Sequence, residues 1–186
     1  MIKITAGIYK NKKLETIDNF VRPTSALKRE AFFSIIQSYT LKNEFNFSNK
    51  KILIDLFAGI GTIGLEALSR GYEKVIFIEN NYEVIKILKK NCKYLCREDK
   101  YEIIEQDVFD LKTKSIFKNV SVIYIDPPYL KYSINKILLI LQDQISKNTI
   151  IAVESSKNDN FTVPKKLNQI NTKIYGKTKI CFFILS

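Results

Sequence analysis

A chain of 186 residues, 46% hydrophobic and 26% charged, can bury a sizeable single core, which excludes disorder as its main state, and no apolar run approaches the ~20 residues of a membrane span. It has no His and three Cys outside any CxxC spacing, which excludes Ser-His or Cys-His nucleophiles and leaves no metal expected. The net charge of +11 points to a polyanionic partner: Lys outnumbers Arg 26 to 4, and the excess lies in residues 1–50 and 157–186, around a nearly neutral middle.

Residues 1–16 alternate through Ile2, Ile4, Ile8 and Leu14, which predicts a short hairpin turning near Asn11 and Lys12. The opening Met1-Ile2-Lys3-Ile4-Thr5 has no apolar signal region, so a cytoplasmic protein is expected. A loop over 17–23 ends in Arg22-Pro23. Thr24 or Ser25 then caps a helix running to about Tyr39, with Leu27, Phe32, Ile35, Ile36 and Tyr39 as its apolar face. From Lys51 the pattern becomes strand, helix, strand, helix. Strands are predicted over 51–57, 74–78, 101–105, 120–125 and 149–153, with helices after the first, over 83–96 and over 133–144. Cys92 and Cys96 share one helix face and read as reduced, buried thiols, as does Cys181 in an apolar run. Residues 170–175 and 179–185 form a closing hairpin. Alternating units with short loops imply an α/β fold, a parallel sheet covered on both faces, with ligands beyond the strand C-termini.

Four features fall at those strand ends. Asp55-Leu56-Phe57-Ala58-Gly59-Ile60-Gly61-Thr62-Ile63-Gly64 is a glycine turn between a strand and a helix. Glu79 ends the second strand, where a carboxylate can accept from a ribose diol. These two features serve NAD and S-adenosylmethionine equally. Asp55 favours the second, because a carboxylate there suits an amino-bearing ligand and repels a pyrophosphate. Asp107 lies after the third strand. Asp126-Pro127-Pro128-Tyr129 ends the fourth; two prolines force the chain out of the sheet and fix a carboxylate and a carbonyl as paired acceptors beside an aromatic ring. Such a pair suits a planar exocyclic amine, with Tyr129 stacking on the base.

These strings, with Gly7, the Lys10–Leu14 stretch, Arg22-Pro23-Thr24, Lys28-Arg29-Glu30, Gly64-Leu65-Glu66-Ala67-Leu68-Ser69-Arg70-Gly71 and Tyr175-Gly176, resemble the RsmD family of bacterial 16S ribosomal RNA guanine-N2 methyltransferases over almost the whole chain. The resemblance implies a Rossmann-like class I methyltransferase with a mostly parallel seven-stranded sheet and a closing antiparallel hairpin. It sets residues 1–50 as an N-terminal hairpin-plus-helix extension that binds RNA, and 51–186 as the methyltransferase domain. It implies S-adenosylmethionine held by Asp55, Phe57, Gly59, Gly61, Glu79, Asn80, Asp107 and Val108. Asp126, Pro127 and Tyr129 hold the flipped base, with no metal and no covalent intermediate. The implied partner is 16S ribosomal RNA, in the small subunit or its assembly intermediate, acted on by a monomer. Adenine-N6 transfer to RNA or DNA stays open. Guanine is favoured because its N1–H and N2 amine are adjacent donors that one carboxylate can accept, whereas adenine sets an acceptor beside its amine. The basic N-terminal segment is expected beside the active-site mouth, where Lys10, Lys12, Arg22, Thr24 and Arg29, with Pro128 and Tyr129, would contact RNA.

Overall fold

The computed structural model describes residues 2–17, 25–43, 51–111, 114–128 and 131–186. Arg22, Thr24 and Tyr129, each a predicted site residue, lie outside the described residues. The central sheet has the order β5-β4-β3-β6-β7-β9-β8, with β3 Ile52–Asp55, β4 Lys74–Ile78, β5 Tyr101–Ile104, β6 Val122–Ile125, β7 Ile150–Ser156, β8 Leu167–Tyr175 and β9 Thr178–Leu185. The first five of these strands are mutually parallel, and β9 runs antiparallel to both β7 and β8. A two-stranded hairpin, β1 (Ile2–Lys3) with β2 (Lys13–Leu14), stands apart from it. The strand order reverses between β3 and β6, so the crevice above those two ends is the expected ligand site.

Period-two alternation divides the apolar residues between two faces. Leu53, Val75, Phe77, Val122, Tyr124, Ile150, Ala152 and Phe182 pack against α1 (Ala26–Lys42), α2 (Thr62–Ser69) and α3 (Tyr82–Leu95). Ile54, Ile76, Ile123, Ile125, Ile151, Val153 and Phe183 pack against α4 (Ile134–Leu141). The parallel strands are buried on both sides, hence their near-continuous Ile and Val runs.

Ser25 caps α1, accepting from the Lys28 amide at 3.4 Å. The inward face of α1 differs from the predicted one. Arg29, Phe32, Phe33 and Ile36 are buried, and Leu27 is exposed. The spacing of 29, 32, 33 and 36 follows the helical period, which turns residue 27 to the opposite side. Phe32 packs edge-on against Tyr124, with ring centroids 5.1 Å apart, so this helix shares its core with the sheet.

The Gly64–Gly71 string explains how the N-terminal hairpin docks. Glu66 is fully buried, and it accepts from the Thr5 amide (2.9 Å), the Thr5 hydroxyl (2.7 Å), the Ala6 amide (3.0 Å) and Arg70 Nε (3.0 Å). The Ser69 carbonyl accepts from the Ile8 amide at 2.9 Å, and the Ser69 hydroxyl accepts from the Tyr9 amide at 2.9 Å. Gly7, at φ +81°, passes so close that a Cβ would lie 1.8 Å from the Ser69 carbonyl oxygen.

One RNA contact expected from the sequence is corrected by this docking. Arg29 is 3% exposed; its Nε lies 3.5 Å from Glu66, and its Nη2 donates to the Lys3 carbonyl at 2.6 Å. It ties α1 to α2 and to the hairpin, and no phosphate reaches it. The hairpin tip that carries Lys10 and leads to Lys12 sits on Ser69, at the end of α2 remote from the glycine turn. Eight helical residues separate the two ends by about 12 Å. Lys10 and Lys12 are exposed.

Candidate active site

β3 ends at Asp55, and the backbone then turns through Gly59 and Gly61 into α2. Gly61 takes φ +89°, a conformation that requires glycine, and a Cβ there would also press on Leu88 Cδ1 at 2.6 Å. Gly64 is needed for packing: a Cβ would meet the Phe77 ring at 2.2 Å. Asp55 is 2% exposed, and its Oδ1 accepts no hydrogen bond among the described residues. Burial pushes its carboxyl up to about 7. The Gly64 amide draws it back, the Glu79 charge adds to the rise, and the Phe57 amide also draws it down. A buried acceptor without a donor is what a cationic ligand group fits.

Glu79 closes on this turn from β4. Its Oε2 accepts from the Gly59 amide at 2.9 Å, and its Oε1 accepts from the Asn80 and Asn81 amides, both at 2.9 Å. Three of about four acceptor directions are thus used, leaving one at Oε2 for a ribose hydroxyl rather than a pair for both.

Asp107 follows β5 and caps a short turn, with Oδ1 accepting from the Phe109 amide at 3.0 Å. Its Oδ2 accepts from Asn80 Nδ2 at 2.8 Å and from the Tyr132 hydroxyl. Partial burial raises the Asp107 carboxyl, but the bonds from Tyr132, the Phe109 amide and Asn80, with the Lys131 charge, outweigh it and hold it below the usual carboxylate range. The Tyr132 ring meets Phe57 edge-on at 4.8 Å and stacks with Phe109 at 5.8 Å. With half-buried Val108, these rings pack together beside Asp107 and the glycine turn. Sequence reasoning did not single out Tyr132; its only signal was a second tyrosine three residues after Tyr129.

Asp126 follows β6, three strands along from β5. Tyr124 pairs with Asp55 of β3 and Ile125 with Val153 of β7, so Asp126 emerges between the ends of those two strands. Burial raises its carboxyl well above the ordinary value; the Glu154 charge adds to this, Lys28 opposes it and Asp55 adds again. Pro127 is buried, and its carbonyl accepts nothing among the described residues. Pro128 is exposed, and its carbonyl accepts from the Lys131 amide at 3.2 Å. Asp55, Phe57, Gly59, Gly61, Glu79, Asn80, Asp107, Val108, Asp126 and Pro127 thus converge on one crevice. Glu154 and Lys28 also reach it, through an ion pair that spacing in the sequence could not announce.

Comparison with known proteins bears on the family and the fold. A Haemophilus influenzae protein named ribosomal RNA small subunit methyltransferase D is 30% identical over 94% of this chain and 89% of its own. A protein of the same name from Buchnera aphidicola subsp. Acyrthosiphon pisum is 31% identical, covering 100% of this chain and 94% of its own. Among solved structures, an Escherichia coli chain superposes with a TM-score of 0.83 at 24% identity, over 100% of this chain and 98% of that one. An RNA methyltransferase from Salinibacter ruber, solved with S-adenosyl-L-homocysteine, superposes with a TM-score of 0.60 at 19% identity, over 88% and 94%. The family described as "Conserved hypothetical protein 95" matches residues 2–184. By that match, and by these relatives aligned over nearly the whole chain, the chain belongs to this family, the RsmD family of ribosomal RNA methyltransferases.

Proposed function

We propose that the chain transfers a methyl group from S-adenosylmethionine to the exocyclic N2 amine of a guanine in 16S ribosomal RNA of the small subunit. The observation that carries this reading is the pair of open acceptors at the end of β6, the Asp126 carboxylate and the Pro127 carbonyl, set beside the donor-less Asp55 Oδ1 at the end of β3. The residues present fit the cofactor: Asp55 meets its ammonium group, Glu79 one ribose hydroxyl, and Phe57, Asn80, Asp107 and Val108 its base. S-adenosylmethionine supplies a methyl group already activated on a sulfonium. The protein's own work is alignment and charge: Asp126 accepts from the N1–H and N2–H edge, Pro127 accepts the second N2 hydrogen, and Asp126 takes the proton the amine gives up. Labelled S-adenosylmethionine and small subunits lacking their own modification test it. N2-methylguanosine is the expected product, and N6-methyladenosine would replace guanine with adenine as the substrate.

Cofactor affinity is expected to depend on pH through Asp55. Its carboxyl sits at about 7 in the empty protein, so below that pH it holds a proton and cannot pair with an ammonium. Binding of S-adenosylhomocysteine should therefore weaken about tenfold per pH unit below 7, level off above it, and flatten in Asp55→Asn. A calorimetric affinity unchanged between pH 5.5 and 8 would place the ammonium elsewhere.

A second pair of exposed lysines also suits phosphate contacts. Lys157 follows β7 and Lys177 turns β8 into β9; the Lys157 amide donates to the Lys177 carbonyl at 2.8 Å, and both residues are exposed. This puts two lysines on the sheet edge where Asp126 opens. Replacing both with Gln should make the slope of log affinity for RNA against log salt shallower by up to ~0.7 for each phosphate no longer neutralised. The same change at Lys10, Lys12 and Lys13 should move it less. The reverse ranking would return the RNA grip to the hairpin.

A further inference from the structure

Lys28, Tyr124 and Glu154 form a cluster where the first turn of α1 meets the ends of β6 and β7, at the edge of the crevice. Tyr124 of β6 and Glu154 of β7 fall on the face covered by α1, as strand alternation requires. Ile125 pairs with Val153, so the next residues along, Asp126 and Glu154, stand side by side on neighbouring strands. Glu154 is 3% exposed; its Oε2 accepts from the Tyr124 hydroxyl at 2.6 Å, and its Oε1 accepts from Lys28 Nζ. Lys28 comes from the first turn of α1, 126 positions away in the chain. Asp55 lies on the other side of β6. Three carboxylates on three adjacent strands therefore converge, with the Lys28 ammonium facing them.

We infer that Lys28 and Glu154 are a positioning pair that sets the charge of Asp126 for the target amine, so that the N-terminal helix takes part in methyl transfer. The inference rests on the reading that Asp126 accepts from that amine. As the N–C bond forms, the carbon–sulfur bond breaks with its electron pair on sulfur, and one N2 proton passes to the Asp126 carboxylate, which must be ionised to accept it. The groups facing Asp126 are Glu154 from β7, with the Tyr124 hydroxyl of β6 behind it, Asp55 from β3, with Glu79 of β4 behind it, and Lys28 from α1. Glu154 and Asp55 oppose ionisation of Asp126 and Lys28 favours it, so the two members of the pair act with opposite sign.

That opposition is the test. Carbon-13 NMR titration of the Asp126 carboxyl in the ligand-free protein, assigned with Asp126→Asn, gives one readout; the acid limb of the kcat–pH profile gives another. Glu154→Gln, which keeps an acceptor for Tyr124, should lower both midpoints by about one pH unit. Lys28→Met should raise both by a similar amount, and Lys28→Arg should stay near the parent. Shifts of the same sign, or none, would show a merely structural pair and overturn the inference. Should the parent's product be a base other than N2-methylguanine, the reading of the substrate fails, while the opposed NMR shifts still decide the role of the pair.

Discussion

Asp126→Ala is expected to fold, to bind S-adenosylmethionine with near-parent affinity, and to lose roughly 10²–10³ in turnover, the usual cost of removing one positioned polar group from a reacting centre. The fold should survive because Asp126 lies beyond the last paired residue of β6, and alanine leaves no ladder bond unmade. Removing a half-buried carboxylate whose ionisation its surroundings already oppose should cost no stability. Cofactor affinity should survive because the crevice contacts come from β3, β4 and β5, not from β6. Single-turnover rates at saturating RNA separate chemistry from binding. Activity within a few-fold of the parent would end the role assigned to Asp126.

The largest effect on stability is expected at Glu66. Glu66→Ala removes a fully buried carboxylate that accepts from Thr5, Ala6 and Arg70, and it takes from Arg29 and Arg70 the carboxylate they share. Stranding buried donors and a buried guanidinium typically costs about 3–5 kcal/mol. At about 2–4 °C per kcal/mol for a chain of this size, the melting temperature should fall by roughly 10 °C. The loss should come with undocking of the hairpin, because Glu66 is its principal anchor. Amide exchange at Ile8 and Tyr9, which donate to Ser69, should then speed up ahead of the sheet. A loss below 1 kcal/mol would mean that the Ser69 bonds and the apolar packing of Ile4 and Leu14 hold the hairpin alone.

The parallel strands were readable from the chain because burial on both faces writes itself as unbroken Ile, Leu and Val runs, and Lys74–Ile78 was expected with those same bounds. The strand-end positions of Asp55, Glu79, Asp107 and Asp126 followed from the same runs, since a carboxylate or a double proline after an apolar strand marks where it leaves the sheet. The closing hairpin was harder. β7 runs on to Ser156 and β8 begins at Leu167, beyond the expected limits, because pairing with β9 fixes those ends and pairing partners leave no local mark. Tyr132 was missed for a similar reason: what matters is its hydroxyl on Asp107, 25 residues back.

The chain by itself determined the alternating α/β order, the parallel core and the row of polar residues above it, since each of these depends on periodicity or on a local break in it. Tertiary structure alone decided what the basic residues do. Lys28 and Arg29 are neighbours of equal charge, both within the basic N-terminal segment expected to face RNA. A helix rotates by about 100° per residue. That single step sends Arg29 inward to Glu66 and the Lys3 carbonyl, and carries Lys28 to Glu154 at the edge of the active site. Charge is a property of the residue; whether it braces a core or faces a substrate is set by which side of the helix the rest of the fold covers.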